Sequence, residues 1–388
     1  MIAAQAAASE REEALLARAR DLALRGRGRV SPNPLVGAVV LAGDEVVGEG
    51  WHEGPGTAHG EVVALRAAGR AAAGATLVCT LEPCSHFGRT PPCTDAVLAA
   101  GIRRVVIGTL DPLERRRAGG AQVLAGAGVE VALADEREAA ACAELNAAFV
   151  THAVTGRPLV TLKLAASLDG RVATEDGETR WITGPESRAL VHRMRADADA
   201  VAVGVGTALA DDPLLTARDV EGPVRQPRRV VFDSDARLPP GAALVRDTAD
   251  APVTVVAGPA AAPDRVAALR GAGVEVLVVP EADPLRRIAA ALERLGAADV
   301  QSLLLEGGPR LAGAFLAAGA VDRVAWFTAP ILIGGSGAPA ALAGAGLGRL
   351  ADVPRLRGVE VSRAGDDVVV SGRLRELPEP AGGAAGPA

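Results

Sequence analysis

The sequence predicts a protein of two α/β domains. Its 388 residues exceed what one hydrophobic core usually serves. Strand-like and helix-like stretches alternate in both halves, and Thr-Gly-Arg-Pro at 155–158 interrupts the pattern once. We therefore predict one domain over 1–154, a second over 155–376, and a disordered tail, rich in proline and glycine, over 377–388.

The first half begins with a helix. Apolar residues at helical spacing predict it over 12–25, and Gly26 is a suitable glycine stop. Two strand-like runs on either side of Ala-Gly-Asp at 42–44 predict a hairpin. The predicted strands of this half are 36–41, 45–50, 75–80, 104–108 and 129–133, and the predicted helices are 12–25, 60–70, 93–101 and one that ends near Phe149.

The second half starts a new alternation after the break. Thr183 and Glu186 have the spacing of a capping box, which predicts the start of a helix. The predicted strands are 159–165, 199–204, 228–233, 253–257, 274–279, 301–305 and 321–329, and the predicted helices are 185–196, 263–271, 284–295 and 309–318. This pattern predicts a second α/β domain.

Composition and charge exclude several classes of protein. Hydrophobic residues make up 49% of the chain and charged residues 23%, as in soluble globular proteins. The formal net charge of -6 and an aromatic content of 2% leave little basic or stacking surface for nucleic acid. We therefore expect a small-molecule substrate and no nucleic-acid partner.

The chain also lacks the marks of a membrane or secreted protein. It has no run of about 18 uninterrupted apolar residues. Its start, at 1–16, has small residues and acids where a secretion signal needs a basic start and an apolar core. Four cysteines are too few for a disulfide scaffold in a chain of this length. We expect a cytoplasmic protein without membrane association.

Residues 59–93 carry the signature of a catalytic zinc site. A His-x-Glu motif at 59–61 is followed by Pro-Cys at 83–84 and by a second cysteine, the pattern of zinc-dependent nucleobase deaminases. A hydrolytic zinc needs three protein ligands, an open position for water, and a carboxylate that moves protons. The predicted ligands are His59, Cys84 and Cys93, and the predicted catalytic residue is Glu61.

Two alternatives to a catalytic zinc remain open. A structural zinc would need a fourth protein ligand, and His86 is the obvious candidate. The spacing could also arise by chance, with no metal bound. Cys79 lies in a predicted strand and Cys142 in an alanine-rich helix, so both are expected to be small core residues.

The first half resembles the bifunctional deaminase/reductase family of riboflavin biosynthesis. The resemblance rests on Ser-Pro-Asn-Pro-Leu-Val-Gly at 31–37, Gly-Trp-His at 50–52, and above all Thr-Leu-Glu-Pro-Cys-Ser-His-Phe-Gly-Arg-Thr-Pro-Pro-Cys at 80–93. The eight residues between the two cysteines match that family's pattern. The resemblance implies a cytidine-deaminase-like three-layer domain. It also implies a pocket for a phosphoribosyl pyrimidine lined by Asn33, His52 and Arg89.

The second half resembles the reductase of the same family, through the segments 162–173, 177–184, 195–218 and 303–313. The resemblance implies a dihydrofolate-reductase-like α/β fold and the cofactor NADPH. The residues it assigns to NADPH are Ala165, Trp181, Thr207, Asp211, Ser234, Gly308, Pro309, Arg310, Leu311, Ala312 and Gly313. The residues it assigns to the substrate are Thr179, Arg195, Leu215, Arg218 and Glu306. Lys163 and Asp169 also match the motif, without a role that the residues reveal.

Two strand-to-helix turns rich in glycine, 204–207 and 307–309, independently predict sockets for phosphate. Neither fits Gly-x-Gly-x-x-Gly, which disfavours a standard Rossmann fold. We expect hydrolytic deamination of a diaminopyrimidine in the first domain and NADPH-dependent reduction of its ribosyl side chain to ribityl in the second, within a homo-oligomer.

The first half departs from the family pattern at two places. Gly60 stands where the family usually has alanine, and Leu113-Glu114, followed by arginines at 115–117, stands where it has Asn-Pro. These departures keep an alternative open, in which the deaminase domain is a non-catalytic scaffold and the chain is a reductase only. A nucleotide sensor without catalysis is the remaining alternative.

Overall fold

The computed structural model describes residues 6–113, 119–179, 181–222, 224–249, 251–346 and 348–379. Two compact units emerge, one from the chain up to Thr155 and one from Gly156–Glu376. Of the predicted tail, 377–379 adopt neither helix nor strand, and 380–388 lie outside the described residues. None of the helices in the described ranges is long and apolar enough to cross a membrane.

The first unit is a mixed sheet between two layers of helices. The strands are β1 (Ala6–Ala7), β2 (Gly37–Ala42), β3 (Glu45–Trp51), β4 (Thr76–Leu81), β5 (Arg104–Thr109) and β6 (Glu130–Leu133), in the order β1-β6-β5-β4-β2-β3. The helices are α1 (Glu10–Leu24), α2 (Gly60–Ala68), α3 (Cys93–Ala99), α4 (Gly120–Gly126), α5 (Glu136–Leu145) and α6 (Ala147–Thr155). Helices α2, α3 and α4 pack on one face of the sheet, and α1 and α5 pack on the other. The predicted three-layer fold is therefore confirmed.

Helix α1 shows how the sequence fixes one of these layers. Ser9 caps it, and Glu12 completes a capping box by accepting the Ser9 backbone N–H. Burial alone would raise the pKa of Glu12, but hydrogen bonds from Arg104 of β5 and from Ser9 lower it, so the carboxylate stays ionised. The buried ion pair thus joins the start of the helix to the centre of the sheet.

The second unit is a larger sheet, also covered on both faces. The strands are β7 (Leu159–Ser167), β8 (Ala200–Gly204), β9 (Arg228–Phe232), β10 (Val253–Ala257), β11 (Glu275–Val278), β12 (Ser302–Leu305), β13 (Arg323–Ala329), β14 (Arg357–Ala364) and β15 (Asp367–Arg373). Their order is β11-β10-β9-β8-β12-β7-β13-β15-β14, and the pairs are parallel except for the last two. The helices are α7 (Pro185–Asp197), α8 (Val205–Asp211), α9 (Pro263–Gly271), α10 (Pro284–Ala297) and α11 (Pro309–Ala317). Helices α8 and α9 pack on one face, and α10 and α11 pack on the other.

Some elements were not predicted. The hairpin of β14 and β15 turns at Gly365, whose φ of 64° suits glycine, and the valine-rich runs on either side are a hairpin signal that the prediction omitted. Helix α4 was omitted as well, and α8 was implied only by the strand-to-helix turn at 204–207, without bounds. The single helix predicted to end near Phe149 is the pair α5 and α6. The two short helices contain seven residues each, too few for a clear periodicity.

The capping box predicted at Thr183 and Glu186 is wrong. Helix α7 has Gly184 at its N-cap, which can offer no side chain. The backbone N–H of Gly184 and the hydroxyl of Ser187 both donate to the buried carboxylate of Asp367, at 2.8 and 2.5 Å. Strand β15 therefore supplies the cap, across a sequence distance that no local motif covers.

Candidate metal centre and cofactor cavity

Three side chains of the first unit converge in the geometry of a zinc site. The ligand atoms of His59, Cys84 and Cys93 all lie within 4.8 Å of one another. His59 Nδ1 is 3.2 Å from Cys93 Sγ and 3.6 Å from Cys84 Sγ. A tetrahedral zinc with ordinary bond lengths places a nitrogen and a sulfur ligand about 3.5 Å apart. The cluster therefore has the dimensions that zinc requires.

The ends of three elements position these ligands. His59 is the N-cap of α2, Cys93 is the first residue of α3, and Cys84 follows β4. The backbone N–H of Cys93 donates to Cys84 Sγ at 3.3 Å, so the start of α3 faces the sulfur. A hydrogen bond from the Cys93 thiol, assisted by His59, lowers the pKa of Cys84 well below the ordinary value of a thiol. At least one thiolate is therefore present at neutral pH, ready to bind a metal.

Glu61 lies in the first turn of α2, beside the cluster. Its side chain is buried, and its Oε2 has no hydrogen-bond partner within the described part of the chain. Burial raises the pKa of Glu61 to about 7, against the opposing effect of His59. A buried carboxylate with a pKa near neutrality can both take up and release a proton.

A fourth protein ligand is not found among the described residues. The metal-binding group there contains three residues and does not include His86. Cys79 and Cys142 are buried in the two core layers, as predicted. Three ligands with an open position favour a catalytic zinc over a structural one.

Gly60 has a structural reason that the sequence did not reveal. It is buried between Val36 and Trp51, and a β-carbon there would lie 2.7 Å from the Val36 carbonyl oxygen. The glycine allows the start of α2 to approach β2 closely, which keeps His59 and Glu61 against the sheet. The loosening of the helix expected from glycine is therefore offset by tight packing.

Glu82 is a residue of the site that the sequence analysis missed. Its buried carboxylate accepts the backbone N–H groups of Asp111 and Ala121, at 3.0 and 2.9 Å. A β-carbon at Gly120 would lie only 1.7 Å from the carbonyl oxygen of Pro83, which precedes Cys84. Glu82 thus holds the loop after β5 and the start of α4 against the metal-ligand loop. An acid placed directly before Pro-Cys was the available signal.

Two of the three residues predicted to line the pyrimidine pocket, Asn33 and His52, lie together beside the metal cluster. His52 is buried, and its ring packs edge-on against His59 at 5.2 Å between centroids. Its Nδ1 lies 3.1 Å from the Ala58 carbonyl oxygen and its Nε2 lies 3.0 Å from Asn33 Nδ2, so Nδ1 carries the proton and Asn33 donates. Burial lowers the pKa of His52 and keeps the ring neutral. Arg89 is exposed on the loop between the cysteines.

The segment after β5, where the sequence departs from the family pattern, lies only partly within the described residues. Leu113 is half-exposed, and its backbone N–H donates to the Asp111 carboxylate at 2.8 Å. The arginines at 115–117 lie outside the described residues. The turn at Asp111 is therefore intact although its side chains differ from the family pattern.

The second unit contains a cavity of about 800 Å³. This volume suits a dinucleotide together with part of a substrate. The predicted residues that line the cavity are Ala165, Thr179, Thr207, Asp211, Glu306, Gly308, Pro309, Arg310 and Leu311. Both predicted glycine turns contribute to its wall, because they follow the neighbouring strands β8 and β12.

The other predicted residues lie outside the wall of this cavity. They are Trp181, Arg195, Leu215, Arg218, Ser234, Ala312 and Gly313. Trp181 is largely exposed and stacks on Arg188, whereas Leu215 and Ala312 are buried in the core. The side chains of these last two pack against other apolar groups, so only their backbone could face a ligand.

A buried ion pair marks one end of the cavity. Arg195 donates to both carboxylate oxygens of Glu306, at 2.6 and 3.0 Å. Burial would raise the pKa of Glu306, but Arg195 and the nearby Lys163 lower it, so the group is ionised. Lys163 also lines the cavity, and burial lowers its pKa. The sequence showed that Lys163 matched a motif, and the structure places its charge in the site.

Asp169, the other residue without an assigned role, organises a loop. Its carboxylate accepts the Ser167 hydroxyl at 2.6 Å and the backbone N–H groups of Ile333 and Gly334 at 3.1 and 2.8 Å. The Ser167 hydrogen bond in particular lowers the pKa of Asp169 to about 2. Asp169 therefore joins the end of β7 to the segment that follows β13.

Fold and site together define a class of protein: a zinc-dependent deaminase unit joined to a second α/β unit with a dinucleotide-sized cavity. Two family models match the chain. "Cytidine and deoxycytidylate deaminase zinc-binding region" matches residues 9–109, and "RibD C-terminal domain" matches residues 158–370.

Curated relatives cover nearly the whole chain. The riboflavin biosynthesis protein RibD of Aquifex aeolicus is 40% identical over 352 residues, 91% of this chain and 95% of that protein. RibD of Escherichia coli is 40% identical over 383 residues, 92% of this chain and 98% of that protein. The chain belongs to the RibD family of riboflavin biosynthesis proteins.

Solved structures agree. RibD of Acinetobacter baumannii has a TM-score of 0.84 and 34% identity, covering 94% of this chain and 99% of that one. A Thermotoga maritima protein described as a diaminohydroxyphosphoribosylaminopyrimidine deaminase/5-amino-6-(5-phosphoribosylamino)uracil reductase has a TM-score of 0.80 and 34% identity, covering 93% and 98%.

Proposed function

We propose that this chain catalyses two successive steps of riboflavin biosynthesis. The first unit hydrolyses the amino group of 2,5-diamino-6-(5-phosphoribosylamino)pyrimidinone, releasing ammonia and leaving a carbonyl. The second unit reduces the ribosyl side chain of that product to ribityl with NADPH. The observation that carries the first step is the three-residue cluster of His59, Cys84 and Cys93 with the buried carboxylate of Glu61 beside it, whose Oε2 has no hydrogen-bond partner among the described residues.

The residues of the first unit have distinct tasks in the deamination. His59, Cys84 and Cys93 would hold a zinc ion, which would supply the Lewis acidity that activates water for attack on the ring carbon bearing the amino group. Glu61 accepts the proton that the water loses and donates it to the departing amine. The neutral His52 and Asn33 are hydrogen-bonded to each other, so they form a prearranged polar wall for the pyrimidine. Arg89, exposed on the ligand loop, is a suitable partner for the substrate phosphate.

The second unit binds and orients rather than supplying a nucleophile. NADPH supplies the hydride, and the protein sets its position against the sugar. The glycine turns after β8 and β12 let the cofactor approach the backbone closely. The ionised pair of Glu306 and Arg195, with Lys163, places fixed charges at the end of the cavity where the substrate is expected.

A coupled assay tests the proposal and its alternative. The purified full chain is given the diaminopyrimidine phosphate and NADPH, and zinc content, ammonia and NADPH oxidation are measured on one sample. We expect one zinc per chain and one ammonia released for each NADPH oxidised. NADPH oxidation with the deaminated intermediate but no ammonia from the first substrate would establish the reductase-only alternative. The absence of both activities would contradict the proposal.

The location and the oligomeric state of the chain are also part of the proposal. We infer a cytoplasmic location, because the four cysteines are free thiols, as expected in a reducing compartment. We infer a homo-oligomer, which sedimentation of the purified chain at several concentrations would test. A monomer at all concentrations would contradict it.

A further inference from the structure

The chain contains two asparagines, and the first unit brings both to one loop. Asn33 begins this loop, the segment 33–37, which leads into β2 and adopts neither helix nor strand before Gly37. Asn146 is the C-cap of α5, 111 positions along the chain from its partner in the loop, Leu35. Two residues of the same type thus meet at the loop that carries a predicted wall of the pyrimidine pocket.

Asn146 pairs with both backbone polar groups of Leu35. The Leu35 N–H donates to Asn146 Oδ1 at 2.7 Å, and Asn146 Nδ2 donates to the Leu35 carbonyl oxygen at 2.9 Å. A carboxamide suits this task because it carries a donor and an acceptor on separate atoms. Asn146 is only 3% exposed, so its side chain lies behind the loop and presents no surface to a ligand.

The rest of the loop is held by residues close to the metal centre. The backbone N–H of His52 donates to the Val36 carbonyl oxygen at 2.9 Å. The backbone N–H of Gly37 donates to the hydroxyl of Thr80, a fully buried residue of β4, at 3.2 Å. The loop backbone is therefore fixed on the side of β2 by the sheet and by His52, and on the other side by Asn146.

Asn33 has hydrogen-bonding capacity left for a ligand. Its Nδ2 lies 3.0 Å from His52 Nε2, which occupies one of its two amide hydrogens. Its second amide hydrogen and its Oδ1 make no hydrogen bond to the described residues, and the residue is half-buried. A pyrimidinone ring presents a donor and an acceptor on one edge, so the free edge of Asn33 matches it if the loop is in place.

We propose that Asn146 is a positioning residue of the deaminase, which holds the loop so that Asn33 meets the pyrimidine. The inference rests on the proposed deamination. Without Asn146, both polar groups of Leu35 would be buried and unpaired, so the loop would move to positions where water reaches them. Substrate would then bind only the fraction of chains whose loop is in place, which raises KM and leaves kcat almost unchanged.

Two variants of Asn146 test this effect in ammonia release by the full chain. Asn146→Ala removes both hydrogen bonds, whereas Asn146→Asp keeps the size and the acceptor and loses the donor. In both variants the KM for the diaminopyrimidine phosphate should rise about 10- to 100-fold, and kcat should stay within about 3-fold. Zinc content and NADPH oxidation with the deaminated intermediate should equal the wild type.

Thr151→Val is the matched control. It removes a buried hydroxyl of the neighbouring helix α6 that has no hydrogen-bond partner among the described residues, so it should leave KM unchanged. An unchanged KM in both Asn146 variants would overturn the inference. The loss of zinc and of both activities in both variants would also overturn it, because it would show that Asn146 stabilises the fold without a separate effect on the pocket.

A double-mutant cycle tests whether Asn146 acts through Asn33. Calorimetry measures the dissociation constant of the diaminopyrimidine phosphate, without NADPH, in a Glu61→Gln background that binds the substrate without turnover. Asn146→Ala should weaken binding about 10- to 100-fold when Asn33 is present and by less than about 3-fold when Asn33 is already alanine. Equal losses in the two backgrounds would overturn the inference.

Failure of the proposed function gives a different result. A wild type that releases no ammonia, while the cycle shows the expected coupling, would contradict the proposed deamination and leave the positioning role of Asn146 standing. A Glu61→Gln protein that does not bind the diaminopyrimidine phosphate at all would contradict both.

Discussion

The two sites of this chain are built in different ways. The metal centre draws its ligands from residues 59–93 and places them at the ends of short elements, in a partly buried cluster. The cofactor cavity draws its wall from residues 163–343, and much of that wall is glycine, alanine and backbone. A metal centre needs particular side chains, whereas a dinucleotide cavity mainly needs space and free N–H groups. The first is therefore sensitive to single side chains, and the second depends on the shape of the sheet edge.

The largest effect is expected from a substitution that removes a metal ligand. Cys84→Ala should abolish zinc binding and lower ammonia release by about 10³-fold or more, because the water loses its activating ion. NADPH oxidation with the deaminated intermediate should be unchanged. Zinc content by atomic absorption and the two activities are measured together. The matched control is Cys79→Ala, a buried thiol outside the cluster, which should keep its zinc. Zinc retained in Cys84→Ala would refute the ligand assignment.

A smaller effect is expected at the charged end of the cavity. Arg195→Met leaves Glu306 buried without its bidentate partner, so kcat/KM for the reduction should fall about 100-fold. Ammonia release should stay at the wild-type rate. Arg193→Met, on the exposed side of the same helix, is the control. Equal losses of both activities would show that the two sites are not independent.

The pKa of Glu61 predicts how the metal-free protein responds to pH. The folded pKa of about 7 lies above the ordinary value of a glutamate, so the folded protein holds the Glu61 proton more tightly than the unfolded chain does. The contribution of Glu61 to the free energy of unfolding is therefore present in acid and is lost as pH rises through 7. Glu61→Gln should remove this loss, which amounts to about 2 kcal/mol between pH 5 and 8. Denaturant unfolding of both metal-free proteins at the two pH values measures it. Parallel pH dependence in the two proteins would contradict the buried, raised pKa.

The smallest expected effect separates a local from a distant cap. Asp367→Ala should lower the free energy of unfolding of the second unit by about 1 kcal/mol, because α7 loses the acceptor at its start. Thr183→Ala, at the locally predicted cap, should change it by less than about 0.5 kcal/mol. Urea denaturation measures both. A larger loss of stability in Thr183→Ala than in Asp367→Ala would show that Thr183 caps the helix.

The sequence predicted the metal centre from its own chemistry, since His59, Cys84 and Cys93 have few other reasons to stand in this pattern. It also predicted most strands and helices, because their periodicity is local. It missed Glu82 and Asp367, whose partners lie far along the chain. In the cavity, Lys163 matched the family motif without revealing a role, because only the strand order brings it to the sheet edge that lines the cavity. The roles of the individual cavity residues remain predictions.

The most direct test of two independent sites is Glu61→Gln, assayed for zinc, ammonia and NADPH oxidation on one sample. The variant keeps the three ligands and removes only the proton carrier. We expect one zinc per chain, ammonia release lowered by about 10²- to 10⁴-fold, and NADPH oxidation with the deaminated intermediate at the wild-type rate. Ammonia release at the wild-type rate, or the loss of both activities together, would contradict the account.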